Sequence, residues 1–193
     1  MNIELITKLR RMTGCGMMDC KAVLEEVGED LEKAAEALRK KGIAKAAKRG
    51  ERETREGLVV SYIHSNNRIG VLLELLSETD FVAMNEGFRE LANDIAMHIV
   101  AMSPIYLSEA DVPEEVLNKE KEIYAEEFAG SGKPQEVVDK IVEGKLSKFY
   151  EETCLLNQRF IKDEDITIDE LVKGKVGVVG ENIQIGKFAR FEI

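Results

Sequence analysis

The chain has 193 residues, is 44% hydrophobic and 33% charged, and carries a formal net charge of −10. That length supports one or two domains with a real core, and the acidic balance excludes a protein that coats nucleic acid, which needs Lys and Arg in excess to neutralise phosphate. Apolar runs such as Leu58-Val59-Val60 and Val71-Leu72-Leu73 fall far short of the roughly 18 residues of a membrane span.

Met1-Asn2-Ile3-Glu4 opens with mixed charge and no signal-peptide pattern, so a soluble, cytoplasmic protein is expected. Three cysteines, Cys15, Cys20 and Cys154, suit a reducing compartment better than a disulfide framework. Their spacing, and the separation of His64 from His98, give no metal-site pattern, so no metal and no cofactor are expected. Residues 1–55 hold 13 basic and 10 acidic side chains, whereas the remainder hold 14 and 27. Two charge regimes suggest two modules.

In chain order, Ile3, Ile6, Leu9 and Met12 recur at helical spacing until Thr13-Gly14-Cys15-Gly16 stops them. A second helix runs from Met17 to Val27 and ends at Gly28; Asp30 caps a third, which reaches Lys41 with Gly42 as its stop. Residues 1–42 thus read as a three-helix domain, and 43–56, polar and basic, as a linker that is helical in part but anchors no core. From 57 to 193 the reading is an α+β core. Leu58 to Ser65 and Arg68 to Ser77 form an antiparallel hairpin across Asn66-Asn67. A helix from Phe81 to Met102 carries Met84, Phe88, Leu91, Ile95, Ile99 and Met102 on one stripe, able to cover the hairpin.

Residues 109–153, with 13 acidic and 6 basic side chains, read as two or three surface helices opened by Pro113 and Pro134. Thr167-Ile168-Asp169-Glu170 is a capping box, yet Val176-Gly177-Val178-Val179 suits either the helix it starts or a strand. Ile183 to Ile193 is the third strand of a small antiparallel sheet covered by helices.

Thr79-Asp80-Phe81-Val82 marks the strand-to-helix joint after Val71 to Leu76, a position where side chains are held at a surface by a rigid frame. The plain reading gives Ser77, Thr79 or Asp80 the helix cap. On a continuous wheel Phe81 falls beside Phe88 and Ile95, which favours burial; only its place in the first turn allows it to project outward. Met17 and Met18 point about 100° apart, so the two cannot both face one small core, and an exposed Met beside Lys21 suits docking onto another protein. The Thr13-to-Lys21 glycines do not have phosphate-loop spacing. No nucleophile elbow, HExxH or acid pair appears, and a thiol enzyme using Cys15 and Cys20 or a plain protein-interaction module remain as other classes.

The runs Thr13 to Lys21 with Ala22, Ile43-Ala44-Lys45-Ala46-Ala47-Lys48, Thr79-Asp80-Phe81-Val82, Leu155-Leu156-Asn157-Gln158-Arg159-Phe160 and Gly180-Glu181-Asn182-Ile183 through Arg190-Phe191-Glu192, in that order, resemble the elongation factor Ts family. The resemblance implies a guanine nucleotide exchange factor for elongation factor Tu, GDP-bound and nucleotide-free, with no covalent chemistry and no catalytic residue. It implies a ubiquitin-associated-like amino-terminal domain that docks through Met17, Met18 and Lys21, and a Thr79-Asp80-Phe81-Val82 segment that enters near the Mg²⁺ and phosphate end of the GDP site. The shortness of the core, similar to half of a two-lobed form, implies a homodimer in which the strand Ile183 to Ile193 could meet a second copy.

Overall fold

The computed structural model describes residues 3–128 and 133–193. Met1 and Asn2, in the mixed-charge opening, and residues 129–132, within the acidic segment, lie outside the described residues. The fold is α+β, with a three-stranded antiparallel sheet in the order β1-β2-β5 and a two-stranded sheet β3-β4. The chain divides into two compact units. One comprises Met1–Val60, Leu73–Asp94 and Glu170–Phe188, the other Ser61–Leu72, Ile95–Asp169 and Ala189–Ile193.

In the first unit, α1 (Ile3–Thr13), α2 (Met17–Val27) and α3 (Leu31–Ala47) bury Ile6, Leu9, Cys20, Val23, Leu24, Ala34 and Leu38 in one cluster. The local signals act as expected. Gly28 takes the left-handed conformation (φ 71°) and its N–H bonds the Leu24 carbonyl, while the Asp30 carboxylate accepts from Glu32 N and Lys33 N at 3.1 Å each.

Gly42 is not a stop. α3 continues through it to Ala47, and Ala46, within the expected linker, is buried. Helix α8 (Ile168–Val179) crosses α3 here, and the crossing needs glycine at 177: a Cβ on Gly177 would lie 2.4 Å from the Gly42 Cα. Helix α8 also resolves the ambiguous Val176-Gly177-Val178-Val179 stretch as helix. Its glycines permit close backbone approach rather than a hairpin.

Strands β1 (Glu56–Ile63) and β2 (Ile69–Ser77) are joined by a turn in which Asn67 N bonds the His64 carbonyl at 2.8 Å and Asn67 adopts φ 53°. Central strand β2 buries Val71, Leu73 and Leu75 on alternate positions. The expected single helix from Phe81 is two: α4 (Asp80–Ala83) and α5 (Glu86–Met102). Asn85 divides them, because its carboxamide oxygen accepts from Gly87 N at 2.9 Å and begins a new helix with a reset phase. Met84, assigned to the buried stripe, is consequently exposed. Phe88, Leu91, Ile95 and Ile99 are buried as their spacing requires.

In the second unit, α6 (Glu114–Glu127) follows Pro113 and α7 (Gln135–Thr153) follows Pro134. Strands β3 (Arg159–Phe160) and β4 (Asp163–Thr167), too short to register as periodic patterns, pair Arg159 with Thr167. The final strand of the chain is β5 (Ile183–Glu192), of which residues 183–188 belong to the first unit.

His98 is fully buried in this unit. Ile161 N donates to its Nδ1 at 3.4 Å, which leaves the proton on Nε2 to donate to Gln158 Oε1 at 3.1 Å; Gln158 Nε2 in turn donates to the Glu152 carbonyl at 2.8 Å. Burial pushes the imidazole pKa down, outweighing the Gln158 bond. Its neutral form therefore stabilises the fold above the unfolded value of about 6.5, and that contribution is lost as pH falls from there through the folded pKa.

Urea unfolding at about pH 7.5 and pH 5.5 should show a lower midpoint at the acid pH, with the difference largely abolished in His98→Gln. For the helix crossing, Gly177→Ala should lower stability by about 1–3 kcal/mol, because the obstructing atom is backbone. Gly42→Ala, whose nearest contact is the Gly174 carbonyl at 3.6 Å, should leave the stability measured by urea unfolding unchanged or raise it by up to about 1 kcal/mol.

Candidate functional site

At the end of β2 the chain turns from extended to helical within two residues. Thr79 stands at the N-cap of α4 with φ −127° and ψ 156°, but its side chain makes no capping bond to the helix. Ser77 Oγ donates back to the Thr79 carbonyl at 2.9 Å. Thr79 gives both of its donors to one carboxylate: its N–H to Glu181 Oε2 at 3.0 Å, and its hydroxyl to Glu181 Oε1 at 2.8 Å and Oε2 at 3.1 Å. On the other side of the turn Val82 and Ala83 are buried. Between these two fixings Asp80 and Phe81 face solvent, and Phe81 is 81% exposed.

That exposure overturns the burial that helical periodicity predicts for Phe81. Phe88, seven residues on, is fully buried. The two rings would share a face only on one continuous helix, and the cap at Asn85 separates them. Asn85 was the available sequence signal, since Asn is a strong N-cap residue.

The segment from Gly180 to Ile183, legible as a motif but without a role, supplies the rest of the frame. Asn182 is buried; its N–H donates to Glu78 Oε1 at 2.6 Å, and its amide donates to the Arg52 carbonyl at 2.8 Å and the Gly50 carbonyl at 3.4 Å. Arg52 also pairs with Glu78 at 3.4 Å. Spacing along the chain could not have revealed these partners, because they lie about a hundred residues apart in sequence.

Met17 and Met18 occupy the first turn of α2 and are both exposed, at 52% and 73%; Lys21, one turn on, is half-buried. They share a helix face with Lys21 by i,i+4 and i,i+3 spacing. No hydrogen bond or ion pair among the described residues links this set to Thr79-Asp80-Phe81-Val82. Cys20 and Cys154 are buried, and that burial pushes both thiols up, opposite to the shift a nucleophilic thiol needs. Among the described residues no group of three or more His, Cys, Asp or Glu could hold a metal ion, and no helix is long and apolar enough to cross a membrane.

The family model Elongation factor TS matches residues 16–193. The chain belongs to the elongation factor Ts family. It is 54% identical over 190 residues to elongation factor Ts of Fervidobacterium nodosum, covering 98% of this chain and 96% of the relative. The protein of the same name from Thermosipho melanesiensis is also 54% identical over 190 residues, covering 98% and 97%. That of Acetivibrio thermocellus is 52% identical over 189 residues, covering 98% and 88%. Membership identifies an elongation factor and places the exposed Asp80-Phe81 turn within the matched region.

A second exposed feature lies at the end of the sheet in the other unit. Ile63, Leu72, Phe191 and Ile193 line one shallow groove and are all exposed.

Proposed function

We propose that this chain is a guanine nucleotide exchange factor for elongation factor Tu, acting through Asp80 and Phe81 without covalent chemistry. The observation that carries the reading is the Phe81 ring, held outside its own core on a turn fixed at both ends. A bound GDP is retained by a phosphate cradle and by Mg²⁺, which screens its charge. A rigidly presented ring can part the side chains that support the metal, and the Asp80 carboxylate can compete for the donors of the phosphate cradle or repel the phosphates. Thr79 and Val82 shape the same segment. No step requires a bond to be made or broken.

Exchange then follows from linkage. A factor that binds nucleotide-free Tu more tightly than the GDP form weakens GDP by the same factor, and GTP refills the site by mass action. Met17, Met18 and Lys21 provide a second, flexible apolar contact on α2, so that the wedge acts while docked. These events belong to translation elongation in the cytoplasm. A docking module that leaves nucleotide untouched would need no ring at 81% exposure on a braced turn.

A second copy of the chain is proposed to cover the groove at Ile63, Leu72, Phe191 and Ile193. The groove crosses all three strands, with Ile63 from β1, Leu72 from β2 and Phe191 from β5, and an exposed apolar sheet surface of this kind can be covered by a second copy about a two-fold axis.

Release of labelled GDP from Tu should slow with Phe81→Ala by about thirtyfold, the effect of losing about 2 kcal/mol of a buried aromatic contact. Asp80→Ala should slow it by a smaller factor. The fold should be unaffected within about 0.5 kcal/mol, because both residues are exposed in the free protein. Stimulation equal to that of the parent in both variants would remove the wedge. Sedimentation should give a dimer that Phe191→Glu converts to monomer; a parent that is monomeric at micromolar concentration would contradict the second copy.

A further inference from the structure

Helix α4 has four residues, too few to be stable alone, so the direction of the Phe81 ring has to be imposed by something outside the turn. The Thr79 N–H and hydroxyl are the last donors before Asp80, and both go to Glu181 at 2.8–3.1 Å. Charge-assisted bonds to two donors of one residue fix orientation as well as distance. We propose that Glu181 is the positioning residue of the exchange segment, a role that rests on reading Phe81 as the exchange wedge. Glu181 touches neither Tu nor nucleotide in this role; it acts through Thr79.

The alternative is that Glu181 merely ties β5 to the end of β2. Other groups already perform that task. Asn182 N–H bonds Glu78, the Asn182 amide bonds two backbone carbonyls, and Ile183 and Ile185 are buried. Removing the Glu181 carboxylate leaves all of these in place. What it frees is Thr79, and with it the residues between Thr79 and the buried Val82.

The chain has no Trp and four Tyr, so Phe81→Trp places a single tryptophan at the ring's own position, and its time-resolved anisotropy, excited beyond the tyrosine absorption band, reports ring mobility without Tu or nucleotide. Adding Glu181→Ala should at least double the amplitude of fast depolarisation, and Glu181→Gln, which keeps an acceptor oxygen for Thr79, should restore most of the order. In the protein with Phe81 intact, Glu181→Ala should lower the maximal rate of GDP release from Tu about tenfold through misplacement of the wedge. The half-saturating concentration should move less than about twofold, and Glu181→Gln should recover a large part of the rate.

Unchanged anisotropy in Glu181→Ala overturns the positioning role. So does a Glu181→Ala protein with normal GDP release where Phe81→Ala is impaired. A melting temperature lowered by more than about 5 °C in both Glu181 variants, with no recovery in Glu181→Gln, assigns the residue to folding and also overturns it. If anisotropy responds as expected but Phe81→Ala itself releases GDP normally, the wedge reading fails and the assignment to exchange fails with it; the anisotropy separates that case from the first.

Discussion

The organisation of the exposed turn depends on a carboxylate, Glu181, that takes two hydrogen bonds from Thr79 just ahead of Asp80 and Phe81. A phenylalanine in a core contributes about 1.5–3 kcal/mol by leaving water. Phe88 gains that contribution and Phe81 forgoes it, although the two are seven residues apart. Without fixings on each side, a four-residue helix would fold its ring back onto apolar surface. Thr79 is held from one side, Val82 and Ala83 are buried on the other, and the ring has nowhere inside to go.

On the proposed reading, the same rigidity makes the turn useful. A flexible aromatic would lose part of its binding energy to ordering when it entered a partner, whereas a ring already held in place delivers that energy to disturbing the metal and phosphate. On the same proposed reading the flexible element lies in the exposed Met17 and Met18, whose adaptable side chains would serve docking. Division of labour between a stiff wedge and a soft anchor lets nucleotide affinity and partner affinity be altered separately.

Much of this architecture could be read from the chain. The helical stripe of Ile6 and Leu9, the left-handed stop at Gly28, the Asp30 cap, the Asn67 turn and the prolines that open α6 and α7 are local signals, and each operates through its own backbone. The failures share another cause: they depend on partners distant in sequence. Gly42 looks like a stop because glycine is a local punctuator, whereas the helix that packs on this turn, through Gly177, is 135 residues away. Phe81 looked buried because periodicity was carried across Asn85, where the helix begins anew. Strands β3 and β4 are held by pairing rather than by pattern. At the candidate site, the joint between β2 and α4 was legible at Thr79-Asp80-Phe81-Val82, but Glu181 and Asn182 were visible only as a motif, since nothing local shows which donors a carboxylate will meet.

The central claim concerns where the Phe81 ring goes when the partner is bound, and placing a benzophenone amino acid at position 81 tests it directly. Irradiation of its complex with nucleotide-free elongation factor Tu should give cross-links to peptides surrounding the Mg²⁺ and phosphate end of the nucleotide site, suppressed by excess GDP with Mg²⁺. Cross-links confined to surfaces remote from that site, or equally strong with GDP and Mg²⁺ in place, would contradict the account.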